Sequence, residues 1–173
     1  MDLAEEWIPH IPCICYGVQG TKYKPTVSFF KFTDEYTELE SAVELASRLD
    51  VKLNVVDCQE PFSKIVKENF VEEYTKGRTP NPCIICNEQV KFKYLYEYAL
   101  KSGFDAIATG HYAKLYKRTN EGFEPYDALS DYGSEAKVFV GMAEDKSKDQ
   151  SYMLWRVPNH ILRRLVLPLS NIA

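Results

Sequence analysis

Residues 104–111, Phe104-Asp105-Ala106-Ile107-Ala108-Thr109-Gly110-His111, decide the fold. A compact apolar run stops on a glycine and a histidine, the pattern of a buried strand that opens onto a loop. Just upstream, a helical pattern runs from about Glu88 to Ser102 with Gly103 at its end. Further back, Val51, Leu53 and Val55 alternate up to Asp57, and Val27-Ser28-Phe29-Phe30-Lys31-Phe32 is rich in strand formers. Between them, Thr37 and Glu40 form a capping box ahead of Leu39, Ala42, Val43, Ala46 and Leu49 at helical spacing. Phe62, Ile65, Val66, Phe70 and Tyr74 give another amphipathic helix, closed by Gly77. Strands alternate with helices and no hairpin signal separates them, which predicts an α/β fold with a parallel sheet covered on both faces. Ligands of such sheets sit beyond the carboxyl ends of the strands, here Asp57, Thr109, Gly110 and His111.

Past this unit the pattern changes. Ala113–Lys117 and Lys137–Val140 read as a short antiparallel insertion with a long connector. Asp149 to Trp155 is short and amphipathic, and Pro158-Asn159-His160 opens a last helix carrying Ile161, Leu162, Leu165 and Val166. Gly17-Val18-Gln19-Gly20-Thr21-Lys22 reads as a plain turn.

Composition narrows the function classes. Of the 173 residues 45% are hydrophobic and 13% aromatic, enough for a buried core and too apolar for disorder. Residues 1–75 carry 14 acids against 7 Lys and Arg, whereas residues 76–173 carry 11 against 14. A polyanion is therefore met by the second half, through local contacts rather than a strongly basic surface. No apolar run approaches the ~20 residues of a membrane helix, and Met1–Trp7 is no secretory signal, so the chain reads as soluble and intracellular.

Five cysteines, at 13, 15, 58, 83 and 86, do not form a disulfide scaffold in such a chain. Cys58 reads as a small buried hydrophobe. Cys83-Ile84-Ile85-Cys86 follows Thr79-Pro80-Asn81-Pro82, whose prolines stiffen the approach. Cys86 then falls at the start of the helix from Glu88, where the positive helix end lowers a thiol pKa. Spacing alone leaves redox or nucleophilic chemistry, metal binding and a structural role open. His111 either hydrogen-bonds a ligand or satisfies a strand end. Lys148-Asp149-Gln150-Ser151-Tyr152 is either a solvated helix start capped by Asp149 or a functional cluster.

Taken together, three motifs in order resemble one family. Gly77-Arg78-Thr79-Pro80-Asn81-Pro82 with Cys86-Asn87 and Lys91-Phe92, then Ala108-Thr109-Gly110-His111-Tyr112-Ala113, then Lys148 to Tyr152, look like the tRNA 2-thiouridine synthases. The resemblance covers residues 23–173, read as a partial catalytic domain, and leaves 1–22 as an unmatched segment. It implies an ATP pyrophosphatase (adenine nucleotide α-hydrolase-like) doubly wound fold that uses ATP with Mg2+ to adenylate the wobble uridine of tRNA. A persulfide then replaces the C2 oxygen, with a persulfide relay protein as sulfur donor and the cytoplasm as the setting, or mitochondria if upstream residues were lost. Carried over residue by residue, Cys86 takes the nucleophile's position. Asn81, Pro82 and Cys83 fall where the family touches the target tRNA. Gly110 falls on an ATP-contacting glycine and Phe30 on a position whose backbone contacts adenine. His111 and Lys148-Asp149-Gln150 fall on tRNA-contacting positions.

Departures from the family pattern shape the expectation. Its Ser-Gly-Gly-Val-Asp-Ser phosphate loop, which cradles pyrophosphate at a helix start, has no counterpart here, and the following helix is missing. The family's second, persulfide-bearing cysteine and its β-rich domains fall past Ala173, so the chain is expected to be inactive or partial alone. Cys83 stands where many members carry aspartate. It is either a resolving thiol or, with Cys86 and one of Cys13, Cys15 and Cys58, part of an iron–sulfur cluster. The alternative from another class is a non-enzymatic α/β module binding a metal or an iron–sulfur cluster through Cys83 and Cys86. Cys13-Ile14-Cys15 is a poor zinc half-site, and no metal site is assigned.

Overall fold

A computed structural model describes residues 13–19, 22–32 and 37–172, with side chains at 26–32 and 39–172. A five-stranded sheet is built from β1 (Cys13–Gln19), β2 (Lys22–Lys31), β3 (Leu53–Asp57), β4 (Ala106–Ala108) and β8 (Leu165–Val166), in the order β3-β2-β1-β4-β8. A three-stranded sheet, ordered β6-β5-β7, joins β5 (Lys114–Thr119), β6 (Gly122–Pro125) and β7 (Val138–Gly141).

The expected parallel sheet is corrected to a mixed one. β2 pairs with β3 and β4 with β8 in parallel, but β1 runs antiparallel to both β2 and β4. The register sets Gln19 opposite Lys22, so only residues 20–21 separate the paired strands. A parallel connection needs a crossover of about a dozen residues or more, and two residues allow only a hairpin. The four remaining strands still point one way. Their carboxyl ends, at Lys31, Asp57, Ala108 and Val166, share one edge.

Helix α1 (Thr37–Arg48) packs on β2 and β3 and buries Ala46. Its expected capping box rests on Thr37, whose side chain lies outside the described residues. Helix α2 covers 59–75, α-helical at Gln59–Phe62 and Glu68–Thr75 with a π turn at Ser63–Lys67 between. Helix α3 covers 82–101 in the same manner, with its π turn at Asn87–Lys91. Gly77 and Gly103 follow these helices with φ of +71° and +72°, the left-handed stops that glycine adopts without a steric penalty.

Both long helices feed one core. Phe30 of β2 and Phe32 just after it join Phe62 and Val66 of α2, Val90, Phe92 and Leu95 of α3, and Ile107 of β4. Phe62, Phe92, Leu95, Ile107 and Leu165 are fully buried, each contributing about 1.5–3 kcal/mol relative to exposure. Cys58 is fully buried among them, as a small hydrophobe would be.

Two further elements depart from the sequence reading. The last helix, α4, is only Asn159–Leu162, and Leu165 and Val166 form β8 beside β4, where Arg164 O accepts from Ile107 N at 2.8 Å. Ile161, Leu162, Leu165 and Val166 are spaced as one helical face, so a two-residue strand carried no separate signal. The insertion pairs Leu115 with Val140 antiparallel, and its connector supplies β6 through a hairpin at Asn120-Glu121.

Candidate functional site

The Thr79–Cys86 stretch is the amino-terminal turn of α3. Asn81 is its cap: the side-chain Oδ1 accepts from Ile84 N at 3.3 Å, and Pro82 occupies the first helical position, where no N–H is needed. The helix therefore begins at Pro82 and not near Glu88. This moves both cysteines relative to the helix dipole: Cys83 lies in the first turn, and Cys86 one turn further in.

That shift corrects the expectation of an acidified Cys86. Its side chain is only 2% exposed, and burial pushes the thiol up, opposed by the Lys91 charge and a Lys91 backbone hydrogen bond. Cys83 is half-buried, and burial raises its thiol too, again opposed by Lys91. At neutral pH both are held as thiols unless a further charge favours the anion.

Around Cys86 the helix buries a polar group that the sequence reading gave no role. Asn87 Nδ2 lies 3.5 Å from His111 Nε2 and donates to Met153 O at 3.3 Å. His111 Nδ1 lies 2.8 Å from Thr109 Oγ1, and the ring stacks on Phe92 with centroids 5.6 Å apart. With Asn87 as donor, Nε2 accepts and Nδ1–H donates to Thr109. Burial, aided by the Lys91 charge, lowers the His111 pKa to about 3, so the ring is neutral. His111 is 1% exposed, which puts the expected tRNA-contacting histidine inside the packing at the end of β4. Its ring nitrogens meet the Thr109 hydroxyl and the Asn87 amide, both of them side chains, and neither meets a strand-end carbonyl.

Lys91 is the second missed residue. It is 6% exposed, in the π turn, and among the described residues no carboxylate pairs with it. Lysine is seldom buried unpaired, and π turns recur at functional sites. The available signal was the first motif itself, which contains both Asn87 and Lys91.

Lys148-Asp149-Gln150 packs beside β4. Gln150 Oε1 accepts from Tyr112 N at 3.0 Å, and Gln150 N donates to Tyr112 O at 2.8 Å. Asp149 does not cap a helix: it accepts from Ala143 N at 2.7 Å and from Ser151 Oγ at 2.7 Å. Lys148 Nζ sits 5.6 Å from the centre of the Tyr112 ring. The single turn Ser151–Met153 rests on the start of α3, which brings this segment to the cysteines. Phe30 is buried at the end of β2, paired with Val56, and Gly110 joins Thr109 to His111 in half-buried backbone.

The described residues do not fit the phosphates of ATP between β1 and β2. That connection spans two residues, and an antiparallel β1 ends away from the shared carboxyl edge, so no helix start can aim its N–H groups there. For a cluster or metal, no three Cys, His, Asp or Glu side chains converge among the described residues. Cys13 and Cys15, two of the possible third ligands, have side chains outside the described residues. Nor does any helix among the described residues have the length and apolarity to cross a membrane.

The family model described as tRNA methyl transferase HUP domain matches residues 19–173. The chain is 40% identical over 134 residues to tRNA-specific 2-thiouridylase MnmA 3 of Bacteroides fragilis, covering 78% of this chain and 33% of that protein. It is 41% identical over 140 residues to tRNA-specific 2-thiouridylase MnmA of Treponema denticola, covering 81% and 35%. With the enzyme of the same name from Carboxydothermus hydrogenoformans it shares 37% over 165 residues, covering 95% and 38%. The chain spans about a third of the length of these relatives. On the match over residues 19–173, the chain belongs to the family described as tRNA methyl transferase HUP domain, and over about a third of their length it is similar to proteins named tRNA-specific 2-thiouridylase.

Proposed function

We propose that this chain is the sulfur-handling part of a tRNA 2-thiouridine synthase, on an ATP pyrophosphatase-type doubly wound fold, with tRNA as substrate and the cytoplasm as its setting. One observation carries the reading. Two thiols three residues apart begin α3, the outer half-buried and the inner backed by Lys91 and the Asn87–His111 pair.

Each group has a task in that chemistry. The Cys83 thiolate attacks the outer sulfur of a donor protein's persulfide; a new S–S bond forms, and the donor leaves as its thiolate and takes up a proton. Cys86 then receives the sulfur by the same exchange and holds it out of water, with Lys91 balancing the anionic sulfur. Neutral His111 and Asn87 fix the helix against β4, so the sulfur is presented at the shared carboxyl edge. Asn81, Pro82, Gly110 and the Lys148–Gln150 segment frame that edge for the target base.

ATP supplies activation of the uridine oxygen in the family the motifs resemble. Among the described residues β1 and β2 offer no helix start to its phosphates, so no step here runs through ATP, and the chain alone is proposed to leave uridine unconverted. Incubating the chain with a persulfide donor and mapping bound sulfur by mass spectrometry tests the reading. Sulfur on Cys83 or Cys86, lost in Cys83→Ser with Cys86→Ser, is expected. Sulfur confined to other cysteines overturns it, and calorimetry showing micromolar ATP binding overturns the ATP part.

A further inference from the structure

Tyr152 and Trp155 are 53% and 67% exposed, although Leu154 between them is fully buried and Val157 nearly so. The segment is knit by bonds three residues apart, Leu154 N to Ser151 O at 3.1 Å and Val157 N to Leu154 O at 3.0 Å. Burial at Leu154 and Val157 against exposure at Tyr152 and Trp155, each pair three residues apart, sets the two rings on the outer side of this segment. Scattered exposed apolar residues are ordinary, but two large rings on one short face are not scattered.

Three observations say what the face is for. Its backbone is tied to the candidate site, since Asn87, the neighbour of Cys86, donates to Met153 O at 3.3 Å. Arg156 lies over the Trp155 ring at 5.8 Å and is anchored by Glu88 at 2.8 Å, two residues beyond Cys86 on α3. Residues 145–164 carry Lys146, Lys148, Arg156, Arg163 and Arg164 against Asp145 and Asp149, in a chain of net charge −4, with Lys148 paired to Asp145, Arg156 to Glu88 and Arg163 to Glu135. Aromatic rings with a flanking arginine, set in a locally basic segment, match the chemistry of unpaired nucleotides, whose bases stack while cations meet phosphate.

We infer that Tyr152 and Trp155 form a stacking platform for an unpaired RNA base at the lip of the Cys83–Cys86 site, with Arg156 at its edge. The inference rests on the tRNA reading above and adds the residues that hold a splayed-out base beside the sulfur. Both rings are positioning residues, since neither touches the reacting sulfur in this structure.

The test is fluorescence and affinity on the whole chain carrying Trp7→Phe, so that Trp155 alone reports. The probes are a short RNA hairpin with a uridine-containing loop and a fully paired duplex of the same length. Quenching by the hairpin but not the duplex is expected, with about tenfold weaker hairpin binding in Trp155→Ala, a smaller loss in Tyr152→Ala, and retention in Trp155→Phe. Hairpin binding with unchanged fluorescence and an unaffected Trp155→Ala overturns the platform while leaving the tRNA reading intact. Failure of the parent chain to bind either RNA overturns both. A Trp155→Ala chain that loses self-association but binds RNA as before overturns the platform and assigns the face to a protein contact.

Discussion

The amide of Asn87 reaches His111 Nε2 at 3.5 Å across the gap between α3 and the end of β4. This link ties the helix that carries Cys86 to the strand edge, and it depends on a neutral imidazole. A charged ring has no acceptor for Asn87 and nothing among its contacts to balance it: Thr109, Phe92 and Lys91 are neutral, apolar and cationic in turn.

Acid should therefore destabilise the fold through His111. Its folded pKa, lowered to about 3, lies below the unfolded value of 6.5. The unfolded chain binds the extra proton in that window, so the stabilisation is complete above 6.5 and is lost as pH falls toward 3. At about 1.4 kcal/mol per pH unit, the cost between pH 6.5 and 5 is roughly 2 kcal/mol. Urea midpoints at the two pH values measure it. His111→Gln should flatten the slope by that amount, and an equal slope in both proteins contradicts a buried neutral ring.

Thiol reactivity should separate Cys83 from Cys86. Both are raised by burial, but Cys83 is half-exposed and Cys86 almost closed. Among the described thiols, Cys58 is closed too. Iodoacetamide at pH 8 should modify Cys83 first, and Cys86 and Cys58 only on unfolding or at much longer times; peptide mapping of the time course reads the order. Modification of Cys86 ahead of Cys83 contradicts the burial described.

The α3 cap gives a test of how much Asn81 does for the fold. Asn81→Ala should cost about 1 kcal/mol, and Asn81→Asp should restore most of it, because either side chain accepts from Ile84 N. Thermal melts of the two variants decide it. A loss of RNA binding in Asn81→Asp, with stability kept, separates a contact with substrate from a role in capping.

The sequence disclosed the alternation of strands and helices because each of those elements buries a face long enough to leave a period. It hid β1 and β8. β8 is two residues long, and β1 is antiparallel for a reason visible only in the register of Gln19 with Lys22. At the site, the motifs led to Cys83, Cys86 and His111 but misjudged their surroundings. Placing the helix start at Glu88 put Cys86 on the dipole, whereas Asn81 and Pro82 start the helix one turn and a half earlier. Burial is a property of what packs from elsewhere, here Phe92 on His111 and Met153 on Asn87, and local spacing cannot report it.

Lys91 carries the most discriminating prediction. The Lys91 side chain is 6% exposed, and among the described residues no carboxylate pairs with it, so its charge contributes no ion pair to the fold there. Lys91→Met fills a similar volume without the charge and should leave stability equal to or above that of the parent. Among the described residues, the same change removes the cation that favours the anionic form of Cys83 and Cys86. Alkylation of Cys83 at pH 8 should slow and its pH profile should move upward, while Lys91→Arg keeps the profile near that of the parent. Equal or higher stability with lower thiol reactivity is the signature of a charge held for chemistry. Lower stability in Lys91→Met, with unchanged thiol reactivity, makes Lys91 a packing residue and removes the electrostatic support from the sulfur-handling reading.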